Sequence, residues 1–567
     1  MVNMSKALTD FPIAGAIFCS LLLAATLVHA AQPVGAKPSA EAALRQGEMM
    51  YREGLLPSGE PLHAVVKGDV FVPGTSFTCV SCHLRSGLGS IEGGVVTTPT
   101  NGDSLFKPLV RTYRQVKIEE KYYPSVQQRP AYTDETLAKA IREGVTPSGQ
   151  AMNPVMPRYF IEDEDMALLT AYLKALSAKP SPGVTETSIA FATVITDDVP
   201  PAQYEAMLAP LEKYIKQKNN MVKQFKREKR SERMAATMLI SSEIMYKTIT
   251  LSRWMLKGSP ETWLAQLEEY NRKEPVFGLL GGITNGEWKP IHEFSEANQI
   301  PCLFPQTNLP VISEKDWYTL YFSKGYYQEG EAAARYLNAT DDIAKCKVLQ
   351  VVRDSREGKA LSAGFQNTWN ELGGTDPVTI VLKSGEPASE EYLHDLLLKE
   401  RPTAILIWDG TDALSVLEHL ASQKINPGAV FVSAGYLGKE IWSIPASARG
   451  FTQITYPYLL PKPVKSSQGD NKQFKEYLLA ENDKDVILSR SNMITQVLTQ
   501  ALMDLRGNYY RDNLLDVIGM MKDQDSLVYE RLSFGPGQRY ASKGCYVVQL
   551  GQGTTPELIK KSNWVIY

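Results

Sequence analysis

Cysteine and histidine are scarce in this chain, with six of each in 567 residues. So few thiols exclude a disulfide-stapled scaffold, and so few imidazoles exclude a metal-rich protein. Surplus charge is missing too. Sixty basic residues face 63 acidic ones, a net charge of −3, and that balance does not mark nucleic acid as a partner. Neither an internal repeat nor a low-complexity tract is found. A Ser–His–Asp set and a metal-ligand cluster are absent as local motifs, and His292, His394 and His419 stand alone in helical stretches. What remains is ordinary globular composition, 43% hydrophobic and 22% charged, in a length that predicts more than one domain.

The amino terminus differs from the rest. A polar MVNMSKALTD precedes the apolar FPIAGAIFCSLLLAATLV, and Val28-His29-Ala30 offers a small-x-small cleavage site. Residues 1–30 read as a signal peptide, which predicts export to the periplasm. A retained anchor is the alternative, and only then would the chain meet a membrane. Cys19 leaves with the signal. Cys302, Cys346 and Cys545 each lie in an apolar, strand-like run and read as buried free thiols.

Ser177–Thr187 (SAKPSPGVTET) is rich in Pro, Ser and Gly and marks a linker over 179–187. It separates a segment over 38–178 from one over 188–567. The first shows helical spacing at Ala40–Glu53, Thr133–Glu143 and Asp163–Leu176, with almost no strand pattern between. The second alternates strand-like runs (Ile189–Ile195, Val276–Leu280, Val348–Val352, Val378–Leu382, Ala404–Trp408, Val430–Ser433) with amphipathic helices. That alternation predicts parallel sheets in two α/β lobes. Lys213–Arg233 carries nine basic residues and reads as a solvated helix face, with a docking surface for an acidic partner as the alternative.

The densest chemical signal is Cys79-Val80-Ser81-Cys82-His83. CxxCH supplies two thiols to add across haem vinyls and an imidazole for the iron, all within one helical turn. At this content of cysteine and histidine a chance occurrence is roughly a one-in-a-thousand event. Zinc would want a second ligand pair, and a thioredoxin-like pair would want a preceding strand; the chain offers neither. Downstream, Gly149–Tyr159 (GQAMNPVMPRY) sets thioethers on a loop before an amphipathic helix.

With these motifs, residues 38–178 resemble a monohaem class I cytochrome c domain. The resemblance implies an all-α fold holding one covalent haem c through Cys79 and Cys82. It implies His83 and Met156 as axial ligands to the iron, with Met152 as the alternative to Met156, and a carbonyl near Pro99 accepting the His83 Nδ1 proton. The implied activity is outer-sphere electron transfer with a redox partner protein, not enzymatic turnover. Leu55–Thr78 is an insertion relative to that family.

Residues 188–567 resemble the type I periplasmic binding protein fold in its branched-chain amino-acid and amide-binding branch. Pro275–Gly286 (PVFGLLGGITNG), Ile300–Pro310 (IPCLFPQTNLP) and the terminal Leu532–Leu550 stretch carry the likeness. It implies a small-molecule ligand, amino acid or amide-like, between two lobes. On that mapping Gly282, Thr284, Asn285 and Thr307 face it from the first lobe, and Asp354, Trp408, Asp409 and Tyr436 from the second. The expected function is an exported c-type cytochrome with a fused ligand-binding or docking domain. The alternative is the solute receptor of an ABC-type uptake system with an accessory haem domain.

Overall fold

A computed structural model describes residues 38–92, 95–109, 129–228, 247–341, 343, 345–423, 428–460, 484–553 and 557–566. The expected signal peptide, 1–30, and residues 229–233 of the basic run lie outside the described residues. Among the described residues, no helix is long and apolar enough to cross a membrane.

The amino-terminal unit begins with α1 (Ala40–Glu53), capped by Ser39, whose side chain accepts the Ala42 N–H, and ended by Gly54 at φ 69°. Then come β1 (His63–Val66), β2 (Val70–Pro73), α2 (Cys79–His83), α3 (Asp134–Glu143), β3 (Arg158–Phe160) and α4 (Asp163–Ala175). Thr133 and Thr136 form a reciprocal capping box at α3. The α1 and α4 backbones cross at Gly47, where a Cβ would lie 2.4 Å from the Leu168 carbonyl oxygen. Met50, Tyr51, Leu137, Leu169 and Leu173 close a core of their own beneath this crossing.

This unit is not all-α, a correction to the sequence expectation. The insertion at 55–78 folds into an antiparallel hairpin of β1 and β2, and β3 pairs with the other edge of β1. Val70, Phe71 and Val72 are β-formers, and Gly68 and Asp69 both take positive φ in the turn. The strands are too short for their alternation to stand out in the sequence.

The second unit opens with β4 (Ser188–Thr196) and α5 (Pro201–Glu228), followed by β5 (Thr248–Leu256), β6 (Gly278–Leu280), β7 (Cys302–Leu303) and β8 (Thr319–Leu320). These strands form an all-parallel sheet in the order β8-β7-β6-β4-β5. Strand β5 was not read from the sequence. Its Thr250, Ser252 and Arg253 break the apolar run, and its burial is partial. Along α5, Met207, Leu208 and Leu211 face the core while Lys213, Lys216 and Lys223 stay exposed, the solvated face expected.

Helix α6 (Tyr326–Thr340) leads into the second lobe, with β9 (Val348–Arg353), α7 (Arg356–Glu371), β10 (Val378–Leu382), β11 (Ala404–Trp408), β12 (Ala429–Ser433) and β13 (Thr452–Tyr456). Then α8 (Lys484–Asp504), which packs on α5, and α9 (Arg511–Gly519) return to the first lobe. Finally β14 (Gly544–Leu550), β15 (Leu558–Lys560) and β16 (Val565–Ile566), which also pairs with β14, complete the second sheet, whose main path runs β10-β9-β11-β12-β13-β14-β15. Its first five strands are parallel and the last two antiparallel.

The stretch 179–187 is docked rather than free. The Ser181 N–H donates to the Tyr509 carbonyl at 3.1 Å, and the Arg511 N–H donates to Ser181 Oγ at 2.9 Å. Cys302, Cys346 and Cys545 are buried free thiols.

Candidate functional site

CVSCH forms one short helix, α2, held at both ends by tyrosines. The Tyr159 hydroxyl donates to the Phe77 carbonyl at 2.5 Å on the entry side, and the Tyr51 hydroxyl donates to the Leu84 carbonyl at 2.8 Å on the exit side. Leu84 ends the helix with a positive φ of 63°. His83 is 7% exposed, and its Nδ1 lies 2.8 Å from the carbonyl oxygen of Thr98, the residue before Pro99. A carbonyl only accepts, so Nδ1 carries the proton and Nε2 keeps its lone pair. Nε2 is buried and has no hydrogen-bond partner among the described residues. Burial pulls the ring pKa down, and the Thr98 carbonyl only partly offsets this, so the imidazole is neutral at pH 7.

His83 and Cys79 border a cavity walled by Leu62, Leu105, Leu137, Ile141, Leu169 and Leu173. Met152 and Met156 border it as well, so both candidate thioethers reach the same space. An Asn153 turn holds their loop: its Oδ1 accepts the Val155 N–H at 3.0 Å and its carbonyl accepts the Met156 N–H at 3.0 Å. Cys82 is exposed beside a wider opening that includes Phe77, Val95 and Val155. Burial pushes the Cys79 thiol up to about 12, far from the thiolate that a redox nucleophile needs. Among the described residues no group of three His, Cys, Asp or Glu side chains could hold a metal ion. Two thiols one turn apart, an unpartnered neutral imidazole nitrogen, an apolar slot and nearby thioethers fit a covalently attached haem.

The residues expected at the interlobe cleft separate into groups. Asn285 is exposed on the first lobe, and its carbonyl faces the Arg356 guanidinium of the second at 3.4 Å. Tyr436, in the short helix Ala434–Leu437 after β12, and Ser355, the cap of α7 after β9, join through their hydroxyls at 2.8 Å. Gly282 takes φ 104° under the Trp288 ring, while Thr284 Oγ1 donates to the Glu287 carbonyl and Thr307 Oγ1 accepts the Leu309 N–H. Those two hydroxyls serve their own turns. Asp354 pairs with Lys359 at 2.5 Å.

Two expectations need correction. Trp408 is fully buried, its Nε1–H donating to Gln350 Oε1 at 3.1 Å, because strand alternation turns it into the core beside Phe365 and Trp369. Asp409, 3% exposed, is held through Oδ1 by Arg353 at 2.5 Å and braces the strand ends. Sequence reading also missed Glu329. It is buried at the base of α6, accepting the Gly435 N–H at 3.2 Å and the Thr455 hydroxyl at 3.0 Å, and burial pushes it up to about 7. A glutamate in the apolar face of α6 was the available signal.

Two lobes with parallel strands whose carboxyl ends face a shared cleft define a bilobal solute-binding architecture. The chain belongs to the periplasmic binding protein family, whose profile matches residues 247–555. Among solved structures it is similar to an ABC transporter substrate-binding protein from Sphaerobacter thermophilus, at 13% identity, covering 67% of this chain and 98% of that one with a TM-score of 0.47. It is also similar to a branched-chain amino acid ABC transporter protein from Thermus thermophilus with bound valine, at 11% identity, 67% and 97% coverage and a TM-score of 0.44. No curated protein matches the chain.

Proposed function

We propose that this protein is an exported solute-binding protein whose amino-terminal unit carries one covalent haem c for outer-sphere electron transfer. The observation that carries the haem reading is the buried His83 ring beside the Cys79 cavity, with Nδ1 committed to Thr98 and Nε2 left without a partner among the described residues. Cys79 and Cys82 would hold the haem covalently, His83 would ligate its iron, and Met156 or Met152 would supply the second axial ligand. Held by these residues, the haem would supply reversible one-electron transfer. The chain's own part is to orient the His83 ring, wall the slot with leucines and exclude water.

The test is production in a host that matures c-type cytochromes. Intact mass should show one covalently added haem, lost in a Cys79→Ser, Cys82→Ser double variant. A wild-type protein that stays colourless under those conditions overturns the haem reading.

A second reading, a solute receptor of an ABC-type uptake system with the haem unit as accessory, draws support from the family match over 247–555. The expected ligands are amino acids, amides or aromatic acids. A thermal-shift screen over those classes, repeated with the haem oxidised and reduced, tests both the binding and its dependence on redox state.

A further inference from the structure

The two units meet at the residues that leave His83. Ser86 is fully buried, and its N–H donates to Asp516 Oδ2 at 2.8 Å; the Arg85 N–H donates to Asp516 Oδ1 at 3.4 Å. Asp512, one turn earlier on α9, accepts Arg52 at 2.8 Å and the Tyr318 hydroxyl at 2.8 Å. The Arg85 guanidinium lies 3.7 Å from Asp512 and 4.4 Å over the Trp317 ring. A helix of the binding unit therefore grips the main chain just past the histidine, while Tyr51 holds Leu84 from within the amino-terminal unit.

The two carboxylates differ in their compensation. Arg52 and Arg85 balance Asp512, whereas Asp516, 6% exposed, accepts among the described residues only from residues 85 and 86. The ionisable groups that face Asp516 are Arg85, Asp512 and Tyr51, with Arg539 farther off. Helix α9 follows α8, where Arg490 donates to Asn308 Oδ1 at 2.9 Å and Ser491 accepts from Gln306 at 3.4 Å, on the first-lobe loop that carries Thr307. The grip on the histidine segment and the cleft loop are thus joined by two packed helices.

We propose that Asp516 is a positioning residue for the haem: it fixes the segment that carries His83, and its uncompensated charge lowers the reduction potential of the iron. This inference rests on the haem reading above. Oxidised iron carries one more positive charge than reduced iron, so a nearby buried carboxylate favours the oxidised state, and burial limits screening by salt. Hydrogen bonding to the main chain beside the ligand fixes the ring that carries the donor electrons.

The experiment is a spectroelectrochemical titration of the full-length holo-protein, its Asp516→Asn and Asp516→Glu variants, and a Glu41→Gln control at an exposed site. In the wild type the potential should fall as pH rises through about 6, where Asp516 ionises. Asp516→Asn should raise the potential at pH 8 and abolish that slope, Asp516→Glu should restore the low value, and Glu41→Gln should change nothing. A variant with intact covalent haem and the wild-type potential at every pH overturns the proposal. Should Asp516→Asn fail to fold, a wild-type potential independent of pH between about 5 and 8 overturns it equally. A wild-type protein without covalent haem overturns the haem reading and this inference together, an outcome separable by mass from failure of the inference alone.

Discussion

The Nδ1 atom of His83 lies 2.8 Å from the carbonyl oxygen of Thr98, on the segment that runs back past the cavity. That contact fixes both the ring orientation and the tautomer, so the buried Nε2 is a ready electron-pair donor. Substituting His83 by Ala removes the donor while leaving both cysteines. The expected product keeps covalent haem and loses the low-spin spectrum of the wild type, read by optical spectroscopy of both redox states.

The two thioethers are distinguished the same way. Met156→Ala should open the sixth position, so that the reduced protein binds CO and the oxidised protein loses its Met-to-iron charge-transfer band. Met152→Ala should leave both signatures in place. The reverse pattern assigns the ligand to Met152, whose side chain borders the same cavity.

Gly47 sits where α1 and α4 cross, with no room for a Cβ between it and Leu168 and Tyr172. Gly47→Val should destabilise the amino-terminal unit by about 3 kcal/mol, at the upper end of overpacking costs. Chemical denaturation followed by haem absorbance measures it. An unchanged midpoint would contradict the close crossing.

Glu329 sets a pH dependence of stability. Its folded pKa, about 7, stands above the ordinary carboxyl value of 4.5, so the unfolded chain ionises first. The stability it contributes is complete below about 4.5 and is lost as pH rises through 7. Glu329→Gln removes the cost of burying the charge. Relative to wild type it should gain on the order of 3 kcal/mol between acid and pH 8, measured as the difference in unfolding free energy across that range.

Asp409 was expected to meet a ligand, and its pairing with Arg353 argues for a brace. Arg353 also donates to Asp412 and to the carbonyls of Lys383 and Glu386. Asp409→Asn should cost about 3 kcal/mol by leaving a buried guanidinium partly uncompensated. Thermal unfolding reads that loss. A stable variant with weakened solute binding would return Asp409 to the cleft.

Much of this protein is legible along the chain because the signals are local. The helices from Ala40, Asp134 and Asp163 follow from 3.6-residue spacing and capping residues, and the buried strand at 404–408 from an unbroken apolar run. CVSCH is equally local, since its chemistry needs five consecutive residues. The hairpin at 63–73 and strand β5 were hidden, because their polar or exposed positions draw stability from neighbours distant in sequence.

Direction and contact belong to the tertiary structure. Whether Trp408 faces a cleft or a core depends on which side of β11 its neighbours pack, and adjacent residues on a strand point to opposite faces. Whether Asp409 is available depends on Arg353, 56 residues away, and the setting of His83 depends on Thr98, Tyr51 and Asp516. Composition and periodicity are sums over neighbours in the chain. These pairings join residues that folding alone brings within hydrogen-bond distance.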